Sequence, residues 1–178
     1  MISILIPVFN ADVHALVQEL SHQLKSLNVE GEILVYDDFS EIFFKDHNRH
    51  ITSLKNVFYK ELEKNYGRIG IRELLAKNAR YGWLLFVDSD STIINKNYLQ
   101  NYLEAIGEEH DVYTGGRVYQ KEMPAACNKR LHWKYGTERE SVKGSSDGLH
   151  TNNFCLRKEI FASQRKCPFS MSASEIPK

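Results

Sequence analysis

Apolar residues are distributed along this chain in two alternating rhythms. "ISILIPV" (2–8) is a run dominated by β-branched residues and leucine, the pattern of a strand covered on both faces. The period then changes: Val13, Leu16, Val17, Leu20, Leu24 and Leu27 fall on one helical stripe between residues 11 and 27. "EILVYDD" (32–38) predicts a second strand and "KNVFYKEL" (55–62) a third. "IGIRELLAKNARYG" (69–82) predicts a helix carrying Ile71, Leu74, Leu75 and Ala79, stopped by Gly82. "WLLFVD" (83–88) is the fourth strand. Asn95 is placed to cap a helix whose stripe is Tyr98, Leu99, Tyr102, Leu103 and Ile106, and "DVYTGGRVY" (111–119) predicts another strand.

Strands alternating with helices argue for an α/β fold, doubly wound, with a mainly parallel sheet and helices on both faces. Beyond about residue 120 the rhythm breaks into short segments, and "SVKGSSDG" (141–148) reads as a loop. No repeat or low-complexity tract divides the 178 residues, so one domain is expected, 1–178.

Composition narrows the partners. The 23 Lys plus Arg balance 23 Asp plus Glu, so no overall field draws the chain to nucleic acid, and none is expected as a partner. Cys127, Cys155 and Cys167 form no CxxC pair, which disfavours a zinc site or disulfide framework and suits a reducing, cytoplasmic setting. The first residues lack the basic start of a leader and read as a strand. No stretch approaches the ~18 apolar residues of a membrane span, although peripheral docking at the inner face of a membrane stays open.

The chemistry lies where strands end. In an open parallel sheet, ligands bind beyond the carboxyl ends of the strands, and right-handed crossovers bring those ends to one edge. Asn10 follows the first strand, Asp37 and Asp38 close the second, and Asp88 and Asp90 follow the fourth. Residues i and i+2 of an extended chain share a face, so Asp88 and Asp90 are expected to converge. Two such carboxylates need a positive charge between them. Mg²⁺ or Mn²⁺ would serve, held by one or two carboxylates plus substrate phosphates. Alone, an Asp-x-Asp after a strand is often just a turn with self-bonded side chains. His47 and His50, three apart, suit a metal only with a helix and a third ligand.

Taken together, "ISILIPVFN", "ILVYDDFS", "NYGRIGIRELLAKNA" and "WLLFVDSDS" resemble, in order and spacing, the donor half of family 2 inverting glycosyltransferases of the GT-A fold. The resemblance covers residues 1–118 and, more loosely, "LHTNNFCLRKEIF" (149–161). It implies a nucleotide-sugar-binding half over 1–118 and a partial acceptor-side half over 119–178. It further implies that Pro7, Val8, Phe9 and Asn10 line the nucleotide pocket, that Asp37 accepts a hydrogen bond from the base or ribose, and that Asp38 supports the turn. Asn65 and Gly67 match the family's Asn-x-Gly segment, and Arg72 matches its arginine facing base and phosphates. Glu73 stands where the family usually has Asn. Asp88, Ser89 and Asp90 match the metal motif, with Asp90 as direct ligand and Asp88 reaching the ribose or a metal-bound water.

The implied reaction moves a sugar from a nucleotide-diphospho-sugar, of uridine type, to a hydroxyl of a glycan or lipid-linked acceptor, with inversion, as in polysaccharide biosynthesis. His132, Trp133 and Tyr135, and separately Asn152 and Asn153, are either acceptor or sugar contacts or packing and loop residues. The family's acidic base block finds no counterpart in the tail "ASQRKCPFSMSASEIPK", where Glu175 is the weak candidate, so the chain is expected to be short at its C-terminus. Apolar surface left exposed by a short chain would favour a homo-oligomer. Two alternatives remain: a non-catalytic or truncated nucleotide-sugar-binding domain, and a sugar-phosphate nucleotidyltransferase. The second would want a glycine-rich phosphate loop after the first strand, where "PVFNADVHALV" has no glycine.

Overall fold

A computed structural model of the protein describes residues 1–107, 110–116, 118, 122–140 and 153–163. The elements run β1 (Ile2–Val8), α1 (His14–Ser26), β2 (Gly31–Asp37), α2 (Ile42–Asn48), a 3-10 turn (Arg49–Ser53), β3 (Val57–Glu61), α3 (Gly67–Asn78) and β4 (Trp83–Val87). They continue with α4 (Tyr98–Ala105), β5 (Val112–Thr114), α5 (Cys127–Tyr135), a wide turn (Gly136–Glu140), β6 (Asn153–Arg157) and α6 (Lys158–Ser163). The strands make one six-stranded sheet in the order β3-β2-β1-β4-β6-β5. β1 to β4 are parallel, while β6 runs antiparallel to both β4 and β5. The chain is α/β with a mostly parallel sheet, as its alternating rhythm predicts.

Strand alternation sorts the core into two layers. Ile2, Ile4, Ile6 and Val8 of β1 face Leu16, Val17, Leu20 and Leu24 of α1, with Leu99 and Tyr102 of α4. Leu5, one step out of phase, joins Leu34, Phe86 and Phe154 under Ile71, Leu75 and Ala76 of α3. Pro7 is tolerated in a central strand because the pairing of β1 with β4 has ended at Leu5, two residues earlier.

Three expectations are corrected in detail. The third helix does not run to Gly82; it ends at Asn78, and Ala79 is already extended. Buried Glu32 and Ser3 draw the chain away there, accepting the Arg80 and Tyr81 amides. Asn95 does not cap α4. Its side chain accepts the Asn97 amide in a preceding turn, and the helix begins at Tyr98. The strand expected over 111–119 stops at Thr114, before Gly115 and Gly116. Among the described residues beyond 120, β6 fills the slot between β4 and β5, a strand the rhythm does not announce.

Candidate active site at the carboxyl edge of the sheet

Because β1 to β4 are parallel, Asn10, Asp37, Asp38, Asp88 and Asp90 share one edge. β2 and β4 flank β1, so their tips lie two strand spacings apart, about 10 Å.

The β2 tip is a closed hydrogen-bond knot. Asp37, with no exposed surface, accepts the Ser40 amide on Oδ1 at 2.7 Å and the Tyr59 hydroxyl on Oδ2 at 3.1 Å. Burial, and then the neighbouring Asp37 charge, raise the Tyr59 phenol far above its ordinary range, so it remains a donor. Asp38 reaches across to the start of α3, where Oδ1 accepts the Tyr66 amide at 2.6 Å and Oδ2 the Gly67 amide at 2.9 Å. These amides open a helix and have no partner within it. Asn65 Oδ1 shares the Gly67 N–H at 2.9 Å. Gly67 is required by its backbone, with φ of 71°, rather than by space, since a Cβ there would touch nothing.

Ser40 and Asn10 tie this knot to β1. The Asn10 amide donates to Ser40 Oγ and the Asn10 side chain accepts the Glu41 amide, both at 2.8 Å. Asn10 (φ 50°) and Phe39 (φ 70°) are both left-handed, so two non-glycine residues with strained backbones lie at this rim. Val8 turns its side chain into the core, and its carbonyl accepts the Asp38 amide at 2.7 Å. Phe9 and Phe39 are each 54% exposed.

The β4 tip is open. A hydrogen bond from the Ser91 amide to the Asp88 carbonyl, 3.1 Å, folds Asp88–Ser89–Asp90–Ser91 into a turn. The strand therefore ends at Val87, and extended alternation is not what relates the two acids. Asp88 is held by α3. Arg72, only 9% exposed, makes a charge-assisted hydrogen bond to Oδ1, and the Arg68 guanidinium lies 3.9 Å from Oδ2. Arg68 and Arg72 are four residues apart on one helix face. Burial lowers the Arg72 pKa from its usual value, and Asp88 opposes that shift. Arginine thus supplies positive charge at Asp88. Asp90 is exposed, and among the described residues no cation pairs with it.

Among the described residues no three His, Cys, Asp or Glu side chains gather into a metal cage. His47 instead lies 3.2 Å from Asp12, and His50 belongs to the 3-10 turn. One open carboxylate beside an arginine-held one fits a hard cation that takes most of its ligands from water and phosphate. Asn152 and Glu175 lie outside the described residues. Asn153 is bound within the protein: Tyr98 and Tyr102 donate to its Oδ1 at 2.6 and 2.7 Å. Of the α5 aromatics, Tyr135 is 59% exposed.

The sequence reading missed Arg68, Ser40 and Tyr59. Arg68 was findable, being one helical turn before Arg72 just after an Asn-x-Gly. Tyr59 was not, because β3 meets Asp37 only through sheet pairing.

Solved structures with this fold include a Staphylococcus aureus TarS fragment (1–349) in complex with UDP-GlcNAc, 24% identical with a TM-score of 0.61. The match covers 92% of this chain and 47% of that one. Mannosyl-3-phosphoglycerate synthase from Rubrobacter xylanophilus is 16% identical, with a TM-score of 0.60 over 92% of this chain and 55% of that one. The mannosyltransferase PcManGT from Pyrobaculum calidifontis, in complex with GDP-Man and Mn²⁺, is 11% identical with a TM-score of 0.58, over 91% and 46%. The chain spans about half the length of each of these solved chains. No curated protein matches it in sequence. The model of the family described as Glycosyl transferase family 2 matches residues 3–164, and with the GT-A architecture and the four ordered sequence blocks this places the chain in that family.

Proposed function

We propose that this chain binds a nucleotide-diphospho-sugar of uridine type at the carboxyl edge of its sheet and transfers the sugar to an acceptor hydroxyl with inversion, assisted by Mg²⁺ or Mn²⁺. The observation that carries this is the asymmetry of the β4 tip, where Asp88 is engaged by Arg72 and Arg68 and Asp90 is exposed. In this reading Asp90 is the direct metal ligand and Asp88 an indirect one. Pro7, Phe9 and Asn10, the Val8 backbone and the Asn65–Gly67 segment border the nucleotide. Asp37 and Asp38 serve it by fixing the rim, and Ser89 shapes the metal turn.

The chemistry follows from charge. Breaking the sugar–diphosphate bond builds negative charge on the leaving nucleotide while the anomeric carbon becomes cationic. Arg68 and Arg72, already placed beside Asp88, offer positive charge to those oxygens from a partly desolvated site. A bound divalent ion supplies Lewis-acid stabilisation at the same diphosphate. The incoming hydroxyl needs a carboxylate within hydrogen-bond reach to take its proton. Support for the donor class comes from family membership and from the UDP-GlcNAc and GDP-Man bound by proteins of the same fold. A glycan or lipid-linked acceptor, cytoplasmic placement beside a membrane and self-association belong to the same proposal. Among the described residues no helix is long and apolar enough to cross a membrane.

Calorimetry with UDP and GDP, with and without Mn²⁺, tests the donor site. UDP should bind in a Mn²⁺-dependent manner, and Asp90→Ala should abolish that dependence without unfolding the protein. Equal UDP affinity in Asp90→Ala and wild type, with Mn²⁺ present, would remove Asp90 from the site. Nucleotide release from a UDP-sugar on addition of acceptor hydroxyls would then separate a transferase from a domain that only binds donor.

A further inference from the structure

Asn153 opens β6 directly opposite Val87, the residue before Asp88. Its amide joins three segments: β6 itself, α4 and the end of β5. Oδ1 accepts both the Tyr98 and Tyr102 hydroxyls of α4, and Nδ2 donates to the Gly116 carbonyl at 3.1 Å. Its backbone carbonyl accepts the Gly115 amide at 2.9 Å. Both lone pairs of Oδ1 are therefore filled by hydroxyls, which leaves Nδ2 as the group that acts on the glycines. Burial raises both tyrosine phenols well above their ordinary range, so they stay protonated and donating. Space at the junction is tight. A Cβ on Gly115 would collide with the Asn153 amide nitrogen and the Tyr102 hydroxyl, so only glycine lets β5 approach.

The place of this junction gives it a use. β6 lies between β4 and β5, so Gly115–Gly116 end β5 at the same edge as the Asp88–Asp90 turn, about two strand spacings or ~10 Å from the β4 tip. A nucleotide near β1 and β2, with its diphosphate at the β4 tip, would point the attached sugar towards the tips of β6 and β5.

We propose that Asn153 is a positioning residue for the transferred sugar: clamped by Tyr98 and Tyr102, it holds the Gly115–Gly116 backbone as the sugar-facing side of the carboxyl edge. This rests on the nucleotide-sugar reading given above. The Asn153 side chain does not itself contact sugar, since its amide is consumed within the protein. It acts through Gly116.

Two variants separate this role from simple packing. Asn153→Ala removes every side-chain bond of the junction. Asn153→Asp keeps an acceptor for the two hydroxyls but presents a carboxylate oxygen to the Gly116 carbonyl, where a donor is needed. Affinities of the full 178-residue chain for UDP and UDP-N-acetylglucosamine, and for GDP and GDP-mannose, would be measured with Mn²⁺ by calorimetry. Both variants should retain wild-type affinity for the free nucleotide and lose about tenfold for the nucleotide-sugar, the loss that one unmatched polar contact brings. Recovery of wild-type nucleotide-sugar affinity in Asn153→Asp would show that only the tyrosine bonds matter and overturn the proposal. So would equal losses for nucleotide and nucleotide-sugar, or no loss in either variant. A wild-type chain that binds none of the four ligands would overturn the nucleotide-sugar reading, and this role with it.

Discussion

Two acidic pairs stand on strands flanking β1, at the same edge of one sheet, and they do opposite things. Asp37 and Asp38 at the β2 tip are buried, and each carboxylate accepts two hydrogen bonds from the protein. Asp88 and Asp90 at the β4 tip occupy a turn, one held by arginines and the other turned to solvent. A carboxylate whose lone pairs are filled by backbone amides organises the chain. One that stays exposed beside fixed positive charge has capacity left for a ligand. Burial and donor supply, rather than residue type, assign the roles.

The largest effect should come from emptying the β2 knot. Asp38→Ala leaves the Tyr66 and Gly67 amides without that carboxylate, and Asp37→Ala does the same to the Ser40 amide and Tyr59 hydroxyl. Each should cost about 2 kcal/mol, as expected for charge-assisted bonds from a buried carboxylate to donors that are themselves mostly part-buried. Urea denaturation measures it, and a loss below about 1 kcal/mol in both would show that the knot is not structural. Phe39→Gly runs the other way. Phe39 holds a left-handed φ of 70° with a half-exposed ring, and its contact with the Lys45 ammonium, 5.0 Å from the ring centroid, is solvent-facing. Relief of the backbone strain should raise stability by about 1 kcal/mol; a decrease would mean that the ring packs more tightly than its exposure suggests.

Asp90→Ala should sit within about 0.5 kcal/mol of wild type in the same assay, since an exposed turn acid supports little. A cost like that of Asp38→Ala would erase the contrast between the two tips. The smallest effect concerns Glu61 at the β3 tip, whose carboxyl the Arg49 guanidinium holds below its usual range, chiefly through their hydrogen bond. A depressed folded pKa stabilises above the unfolded value and is lost as pH falls through the folded one. Arg49→Ala should therefore slightly flatten the acid side of the stability profile. An unchanged slope would show the pair to be fully screened.

Much of the fold was legible because its signals are local. β1, β2 and β4 are dominated by apolar residues, and α1 keeps one stripe from Leu16 to Leu24, so neither pattern needs a distant partner to be recognised. β6 escaped notice for the complementary reason. "NFCLR" has no clean alternation, and it becomes a strand by pairing with β4, about 70 residues earlier in sequence. The end of α3 was misread because Gly82 is a strong local stop signal, whereas the actual stop is set by Glu32 and Ser3 across the sheet.

The sequence by itself determined the alternation of strands and helices, and hence that acids following β2 and β4 would gather at one edge, because parallel strands joined by right-handed crossovers leave no other arrangement. Only the tertiary structure decided what each acid does. Hydrogen bonds from Tyr59, Tyr66 and Gly67, and the guanidinium of Arg72, come from segments distant in sequence, and nothing in a local pattern records which carboxylate they will reach. The same holds for Asn153, whose partners Tyr98, Tyr102 and Gly116 meet it only after β6 is laid between β4 and β5.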